Sequence, residues 1–250
     1  MEIIYENDNR KYIQGDIHNV IKTLETDSID FIYTDPPFAT TKAKWDKPLR
    51  WEEIFKEMWR VLKPNGIICL YSAMPFTYEL YTYEKPKYHY NWKKNITTNF
   101  FLSKKQPLRC MEEISIYYKK NGTYNPQMVG DTFYKKDVAG TNGMGYCNKG
   151  NYGSKKSGKK YDAKEGHTGK YPTTFKEWNI RKDKTGITRT DEQIDYFIST
   201  YTNEGDTILD MTCHNNYVGD RCELLNRKYI GVDIDLSNLP LKNDQTEGNL

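Results

Sequence analysis

Apolar runs of strand length and amphipathic stretches of helix length alternate along most of this chain. The segment RKYIQGD reads as a short strand closing at Gly15-Asp16. Residues 17 to 25 suit a helix, and residues 29 to 34 form a buried strand. RWEEIFKEMWRVLKPNG puts Ile54, Met58, Val61 and Leu62 on one helical face and stops at Pro64-Asn65-Gly66. IICLYS is the next buried strand, and EEISIYYKK follows as another after a less regular stretch, 88 to 102. Further on, TDEQIDYFISTYTNEGD opens with a capping-box pattern, Thr190 followed three residues later by Gln193. TILDMT is then a strand, 217 to 226 a helix and KYIGVDID a last strand. Strands and helices joined by short links predict an α/β fold, a Rossmann-like mostly parallel sheet with helices on both faces. Such sheets bind ligands at the carboxyl ends of their strands. Asp16, Asp35, Ser72, Asp210 and Asp233 all fall at or near such ends.

The alternation fails between the two halves. Residues 119 to 170 hold eleven lysines against four acids, a local excess of +7 in a chain whose net charge is only +3. The same window carries ten of the 17 glycines together with Tyr124, Phe133, Tyr134, Tyr146, Tyr152 and Tyr161, and it shows neither period. Interleaved Lys, Gly and Tyr suit a nucleic-acid surface, with lysines on phosphates and tyrosines stacked on bases. Lys155, Lys156, Lys159 and Lys160 are its densest charges. A solvated loop is the competing reading.

Composition narrows the setting. No apolar run of about 18 residues is present, which predicts no membrane partner. The first residues lack the basic-then-apolar layout of a signal peptide. Five scattered cysteines without Cys-x-x-Cys predict no structural metal and a reducing, cytoplasmic environment. Cys213 and His214 are adjacent potential ligands with no partner pair, which does not make a metal site.

One tetrapeptide carries chemistry. The strand at 29 to 34 runs straight into Asp35-Pro36-Pro37-Phe38. Two prolines cannot continue a ladder, because neither has an N–H to donate. A carboxylate, stiff carbonyls and a flat ring are therefore held together at a strand's mouth. TDPPF, the GD some 19 residues before it, MWRVLKPNGIICLYS after it, and NEGDTILD with RKYIGVDID near the end resemble the amino-DNA methyltransferases of the beta arrangement, over roughly residues 10 to 120 and 185 to 235.

The resemblance implies S-adenosylmethionine as methyl donor and double-stranded DNA as partner, with a monomer or homodimer acting in DNA methylation of the restriction-modification kind. It implies a catalytic half at 1–118, a target-recognition insertion at 119–180, a cofactor-binding half at 181–236 and a loose tail at 237–250. An exocyclic amine is a poor nucleophile because its lone pair is delocalised into the ring. Accepting both of its N–H bonds, one at Asp35 and one at the Pro36 carbonyl, directs that lone pair at a methyl donor. Pro37 adds stiffness, and Phe38 offers a face to a base taken out of the stack.

By the same resemblance Asp16 contacts the adenine end of the cofactor and Asp233 its ribose, with Asp235 as a nearby alternative. Thr188 and Arg189 stand where the family has a short polar motif, matched only loosely by ITRTDEQ. Asp210 is kept, but the glycine-rich turn after it is replaced by Cys213-His214-Asn215-Asn216. Asn and His tolerate the left-handed region, Asn216 is placed to cap the next helix, and Asn215 or Asn216 is placed to bond the cofactor's methionine part. An aspartate at the head of the tetrapeptide favours adenine N6. RNA or N4-cytosine methylation by the same chemistry, and a non-catalytic nucleic-acid-binding relative, are the alternatives.

Overall fold

The computed structural model describes residues 1–41, 43–134, 167–183, 186–237 and 239. Residues 1–125 with 173–250 form one compact unit and residues 126–172 another. The elements run β1 (Glu2–Glu6), β2 (Arg10–Gln14), α1 (Ile17–Val20), β3 (Ile29–Thr34), α2 (Trp51–Val61), β4 (Leu62–Ser72), α3 (Phe76–Tyr83), β5 (Tyr88–Thr98) and β6 (Arg109–Tyr117). They continue with β7 (Val129–Tyr134), β8 (His167–Lys170), β9 (Phe175–Trp178), β10 (Ile180–Asp183), β11 (Gly186–Arg189), α4 (Asp191–Tyr201), β12 (Thr207–Asp210), α5 (Tyr217–Leu224) and β13 (Lys228–Asp233).

One sheet dominates, in the order β1-β2-β13-β12-β3-β4-β6-β5-β9. Every neighbouring pair from β2 to β4 is parallel. β6 lies antiparallel between β4 and β5, and β9 follows β5 in parallel. It follows that β2, β13, β12, β3, β4 and β5 all end on one edge. This is the Rossmann-like, mostly parallel α/β sheet that the alternation predicts. Each face buries its own apolar layer. Ile54, Met58 and Val61 of α2 join Ile17, Ile32, Ile68 and Leu80 on one side. Phe197 and Ile198 of α4 join Phe31, Tyr33, Tyr71 and Trp92 on the other.

The chain leaves β3 through α2 to reach β4 on one flank, and leaves β12 through α5 to reach β13 on the other. The two crossovers diverge, so the crevice between the ends of β3 and β12 is the topological switch point, where open α/β sheets hold ligands. Thr34 and Thr212 meet across it, hydroxyl to hydroxyl, at 3.1 Å.

Several local expectations need correction. The helix predicted through Leu62 ends at Val61. Leu62 is already extended and pairs with Ile29 at the start of β4, and Pro64 disfavours helix at the residue before it. Gly66 lets the irregular start of β4 close up, since a Cβ there would lie 2.6 Å from the Leu62 side chain and 2.9 Å from the Asp30 carbonyl oxygen. The capping box does not form. Thr190 holds the N-cap position, but its hydroxyl makes no cap bond, and the Gln193 amide is buried without a partner among the described residues. The uncertain stretch 88 to 102 contains an eleven-residue strand, β5.

Within the stretch read as insertion, β7 and β8 pair antiparallel, β9 joins the main sheet, and β10 pairs with β11. Lys155, Lys156, Lys159 and Lys160 lie outside the described residues. Just before the stretch read as a loose tail, Leu236 is buried and its N–H reaches Gln14 at 3.4 Å.

Candidate active site

β3 delivers Asp35 to the switch point, and the loop after it is held from the far side. The Asp46 carboxylate accepts the backbone N–H groups of Ala39 and Thr41, both at 2.6 Å. Burial works to raise the Asp46 carboxyl, but hydrogen bonds from Thr41 and Ala39 outweigh it and hold it below the usual range. Pro36 is buried, and among the described residues no donor reaches its carbonyl. Phe38 is half-buried and stacks on Phe76, with ring centroids 5.3 Å apart.

Asp35 itself is 37% exposed at the side chain, and its Oδ2 meets Nη2 of Arg189 at 2.6 Å. The same nitrogen lies 3.0 Å from Oε2 of Glu112, whose Oε1 accepts from Lys94 at 2.6 Å. The Arg189 guanidinium carbon sits 4.5 Å from the ring centres of both Tyr71 and Trp92. Burial pushes the Asp35 carboxyl up, Arg189 pulls it down and Glu112 pushes it up again; the net direction is upward. For Arg189, burial opposes the charge, yet Asp35 and Glu112 together hold it more firmly protonated than usual.

Lys94 and Glu112 escaped the motif reading, although the pattern carried a signal. Tyr90, Trp92 and Lys94 share one phase of β5, and Glu112, Ile114 and Ile116 share one phase of β6; all six are buried. A charge in phase with core positions on two paired strands marks a buried ion pair.

The acids of the second half gather on the other side of the switch point. Asp210 is buried; its Oδ1 accepts Thr212 N–H at 3.2 Å and its Oδ2 lies 3.3 Å from the Tyr229 hydroxyl. Burial, with the Asp233 and Asp35 charges added, pushes its carboxyl up to about 8. Asp233 accepts His214 N–H at 2.8 Å and Asp235 N–H at 3.2 Å. His214 takes the left-handed conformation (φ +53°) in the turn where the family has glycines. The helix cap belongs to Asn215, whose Oδ1 accepts Tyr217 N–H at 3.0 Å. Asn216 instead bonds Asp220 and makes no cap bond. Burial raises the Cys213 thiol well above its ordinary value.

Asp16 ends β2 beside this group, since Gly15 N–H bonds the Asp233 carbonyl at 2.8 Å. Its carboxylate also caps α1, accepting His18 N–H at 2.9 Å and His18 Nδ1–H at 2.7 Å. His18 Nε2 accepts Arg50 N–H at 3.0 Å, which places the ring proton on Nδ1. Asp235 is exposed, and Thr188 lies in β11 opposite Arg181. A separate hollow lined by Asp27, Trp59, Leu62, Lys63 and Lys119 lies at the amino ends of β3 and β4, away from these groups.

A switch-point crevice with an acid-Pro-Pro-aromatic turn on one wall and two strand-end acids on the other defines a methyltransferase-type α/β protein. Residues 29–242 match the N6/N4 family described as DNA methylase, and the chain belongs to that family. It is similar to the type II methyltransferase M.BamHI of Bacillus amyloliquefaciens, at 25% identity over 92% of this chain and 56% of that protein. The chain thus spans little more than half the length of that relative. Similarity to the type II methyltransferase M2.LlaDCHI of Lactococcus lactis subsp. cremoris is 24%, over 95% of this chain and 89% of that protein.

Among solved structures, the fold is shared with the PvuII DNA methyltransferase (cytosine-N4-specific), with a TM-score of 0.62 at 13% identity over 92% of this chain and 84% of that one. It is also shared with M1.HpyAVI in its SAM complex, with a TM-score of 0.55 at 18% identity over 91% and 95%. No helix among the described residues is long and apolar enough to cross a membrane.

Proposed function

We propose that this chain is an S-adenosylmethionine-dependent DNA methyltransferase that modifies the exocyclic amino group of a flipped base, adenine N6. The observation that carries this reading is the Asp35 carboxylate at the switch point, beside a Pro36 carbonyl that no described donor reaches and the Phe38 ring. Asp35 and the Pro36 carbonyl accept the two amine N–H bonds and turn the nitrogen lone pair outward. Asp35 then takes up the proton that the methylated nitrogen must lose. Most of the acceleration comes from positioning and preorganised dipoles.

The donor set suits the cofactor. Three acids, Asp35, Asp210 and Asp233, converge on a crevice in which Asp210 is pushed up to about 8. A cationic ligand relieves that crowding of negative charge, and a strand-end carboxylate such as Asp233 suits ribose hydroxyls. Asp16 lies at the adenine end, and Asn215 and Asn216 border the methionine end. Bound there, S-adenosylmethionine supplies an electrophilic methyl group.

Duplex DNA fits the rim. The loops leaving β3, β4 and β5 on the carboxyl edge present exposed Trp45, Met74, Phe100 (76% exposed) and Phe101 (84% exposed). Lys44, Lys104 and Lys105 flank them, so that apolar tips face bases and lysines face phosphates. The basic stretch 119–180 serves target recognition in this reading. Changing Lys155, Lys156, Lys159 and Lys160 together to Gln should lower the salt dependence of DNA binding by up to ~0.9 in slope per lost phosphate contact. The relatives named type II methyltransferases suggest a modification enzyme of a restriction system.

N4-cytosine is the second reading, favoured by the fold shared with a cytosine-N4-specific enzyme. Incubation with labelled S-adenosylmethionine and unmethylated DNA or RNA, followed by digestion to nucleosides, separates the readings. N6-methyladenine in DNA is expected. N4-methylcytosine or a labelled ribonucleoside selects an alternative, and no label with retained DNA binding selects a non-catalytic relative.

A further inference from the structure

Arg189 matches the family's short polar motif only loosely, yet it is the residue most deeply engaged with the candidate acceptor. Its side chain is 11% exposed, and the two rings it packs against are fully buried. Lys94 and Glu112 are buried with it. Two buried cations around one buried carboxylate, with the half-exposed Asp35 at their edge, are an expensive way to fill a core; apolar residues of similar volume are usually as stable or more so. Such a cluster next to a candidate catalytic carboxylate invites a reading in terms of that carboxylate.

The geometry is asymmetric. Arg189 binds Oδ2 of Asp35, and among the described residues no donor reaches Oδ1. Arg189 is also shared with Glu112, which is in turn neutralised on its other oxygen by Lys94. The guanidinium is packed between Tyr71 and Trp92, and the Tyr71 hydroxyl is tied to Tyr33 at 2.8 Å.

We propose that Arg189 is a positioning residue for Asp35: it holds the carboxylate through Oδ2 so that Oδ1 faces the substrate amine, while Glu112, backed by Lys94, draws part of its charge away. The proposal rests on the reading of Asp35 as the amine acceptor. It accounts for a carboxyl group held in one orientation at the mouth of a buried strand beside Asp210. It also explains why a second carboxylate stands on the same arginine. An arginine given to Asp35 alone would hold the charge so strongly that the carboxylate could not take up the proton released after transfer. Sharing leaves it an anion that is still basic.

The groups that face Asp35 are Arg189 from β11, Glu112 from β6, Lys94 from β5, Tyr33 from β3, Cys69 from β4, and Asp210 from β12. Among them the proposal makes opposite demands on two. Arg189→Met removes the positive charge, so Asp35 should protonate at higher pH by about one pH unit or more. Glu112→Gln removes the competitor, so Asp35 should protonate at lower pH than in wild type. Arg189→Lys keeps a charge but not the planar fork, and should preserve the midpoint better than it preserves the rate.

Two measurements on the full chain test this. The first follows the carboxyl of Asp35 by carbon NMR of aspartate-labelled protein, with the resonance assigned by its loss in Asp35→Asn. The second follows the acid limb of methyl transfer from tritiated S-adenosylmethionine to unmethylated plasmid DNA. Opposite shifts in Arg189→Met and Glu112→Gln, seen in both measurements, support the proposal. A uniform loss of rate with unmoved midpoints, or shifts of the same sign, would overturn it. If Arg189→Met fails to fold, Arg189→Lys and Glu112→Gln still give the signs. If wild type transfers no label while the carboxyl shifts appear, the functional reading fails and the coupling stands alone as an electrostatic fact.

Discussion

Two turns leave the sheet at the switch point, and they are built by opposite means. The turn after β3 is stiff in its own backbone, with two consecutive prolines, and is braced by the Asp46 carboxylate on Ala39 and Thr41. The turn after β12 has no proline and no glycine. It is shaped by side chains: Asp233 on His214 N–H, Asn215 on Tyr217 N–H, and a left-handed His214. In the proposed function the first turn presents acceptors at fixed positions to a reacting atom. The second gives up close backbone approach and lines the crevice with polar groups. On that proposal, covalent stiffness supplies the one geometry the chemistry needs, and hydrogen bonds between side chains and backbone are enough where a ligand is only held.

The largest expected effect breaks the first turn. Asp35→Ala removes one aligned acceptor of the amine and should cost on the order of 3 kcal/mol or more of transition-state stabilisation, a loss of at least about a hundredfold in kcat. Binding of S-adenosylmethionine by calorimetry should change little, because the second turn is untouched. Near-wild-type turnover would remove Asp35 from the mechanism.

Next in size is the pH response of the second turn. Asp210 is pushed up to about 8 by burial and by Asp233 and Asp35, whereas an aspartate in an unfolded chain titrates near 3.9. A raised folded value means that the stabilising proton is fully present below about pH 4 and is lost as pH rises through about 8. Stability from this group should therefore fall by roughly a few kcal/mol between pH 4 and pH 9. Asp210→Asn, neutral at every pH, should show a flatter melting profile over that window. Wild type should also release protons on binding the cationic cofactor near pH 7, read as a dependence of calorimetric heat on buffer. Parallel melting profiles would mean that Asp210 is ionised throughout.

The same contrast explains what could be read from the sequence. The strand at 29 to 34, the prolines that stop it and the acids at strand ends were legible because proline chemistry and apolar periodicity are local. The capping box was legible and wrong. Thr190 follows Arg189, and tertiary contacts bury Gln193 rather than letting it reach back to the helix end. The cap of α5 shifted by one residue because Asn215, not Asn216, meets the Tyr217 N–H once His214 turns left-handed. Lys94, Glu112 and the Arg189 bridge to Asp35 join β5, β6 and β11 to the end of β3. No local pattern names such partners, although the burial phase of Lys94 and Glu112 was visible. Asp46 reads as an ordinary loop acid until the loop folds over it.

A third test sharpens the comparison at the ligand. Asp233→Ala removes the carboxylate assigned to the ribose and frees His214 N–H. Hydrogen bonds to a charged group are worth about 1.5–3 kcal/mol, so cofactor affinity should fall roughly ten- to a hundredfold by calorimetry. Unchanged affinity would send the ribose contact elsewhere, with Asp235 the first candidate.

The smallest effect asks whether the second turn suffers from lacking glycine. His214 sits at φ +53°, where a side chain costs about 1 kcal/mol or slightly more. His214→Gly relieves that cost but adds unfolded-chain entropy worth about 0.4–1 kcal/mol. The two nearly cancel, so the melting temperature should hardly move. Affinity is the sensitive readout. If the histidine bulk pushes the methionine part outward, His214→Gly/Asn216→Gly should bind S-adenosylmethionine as well as wild type or up to about tenfold better, 1.4 kcal/mol. The Asn216 change also gives up the bond to Asp220, so the single His214→Gly variant isolates the bulk. Weaker binding by the single variant would mean that His214 itself contributes to the cofactor site, and that this turn replaced glycine with a contact rather than tolerating its loss.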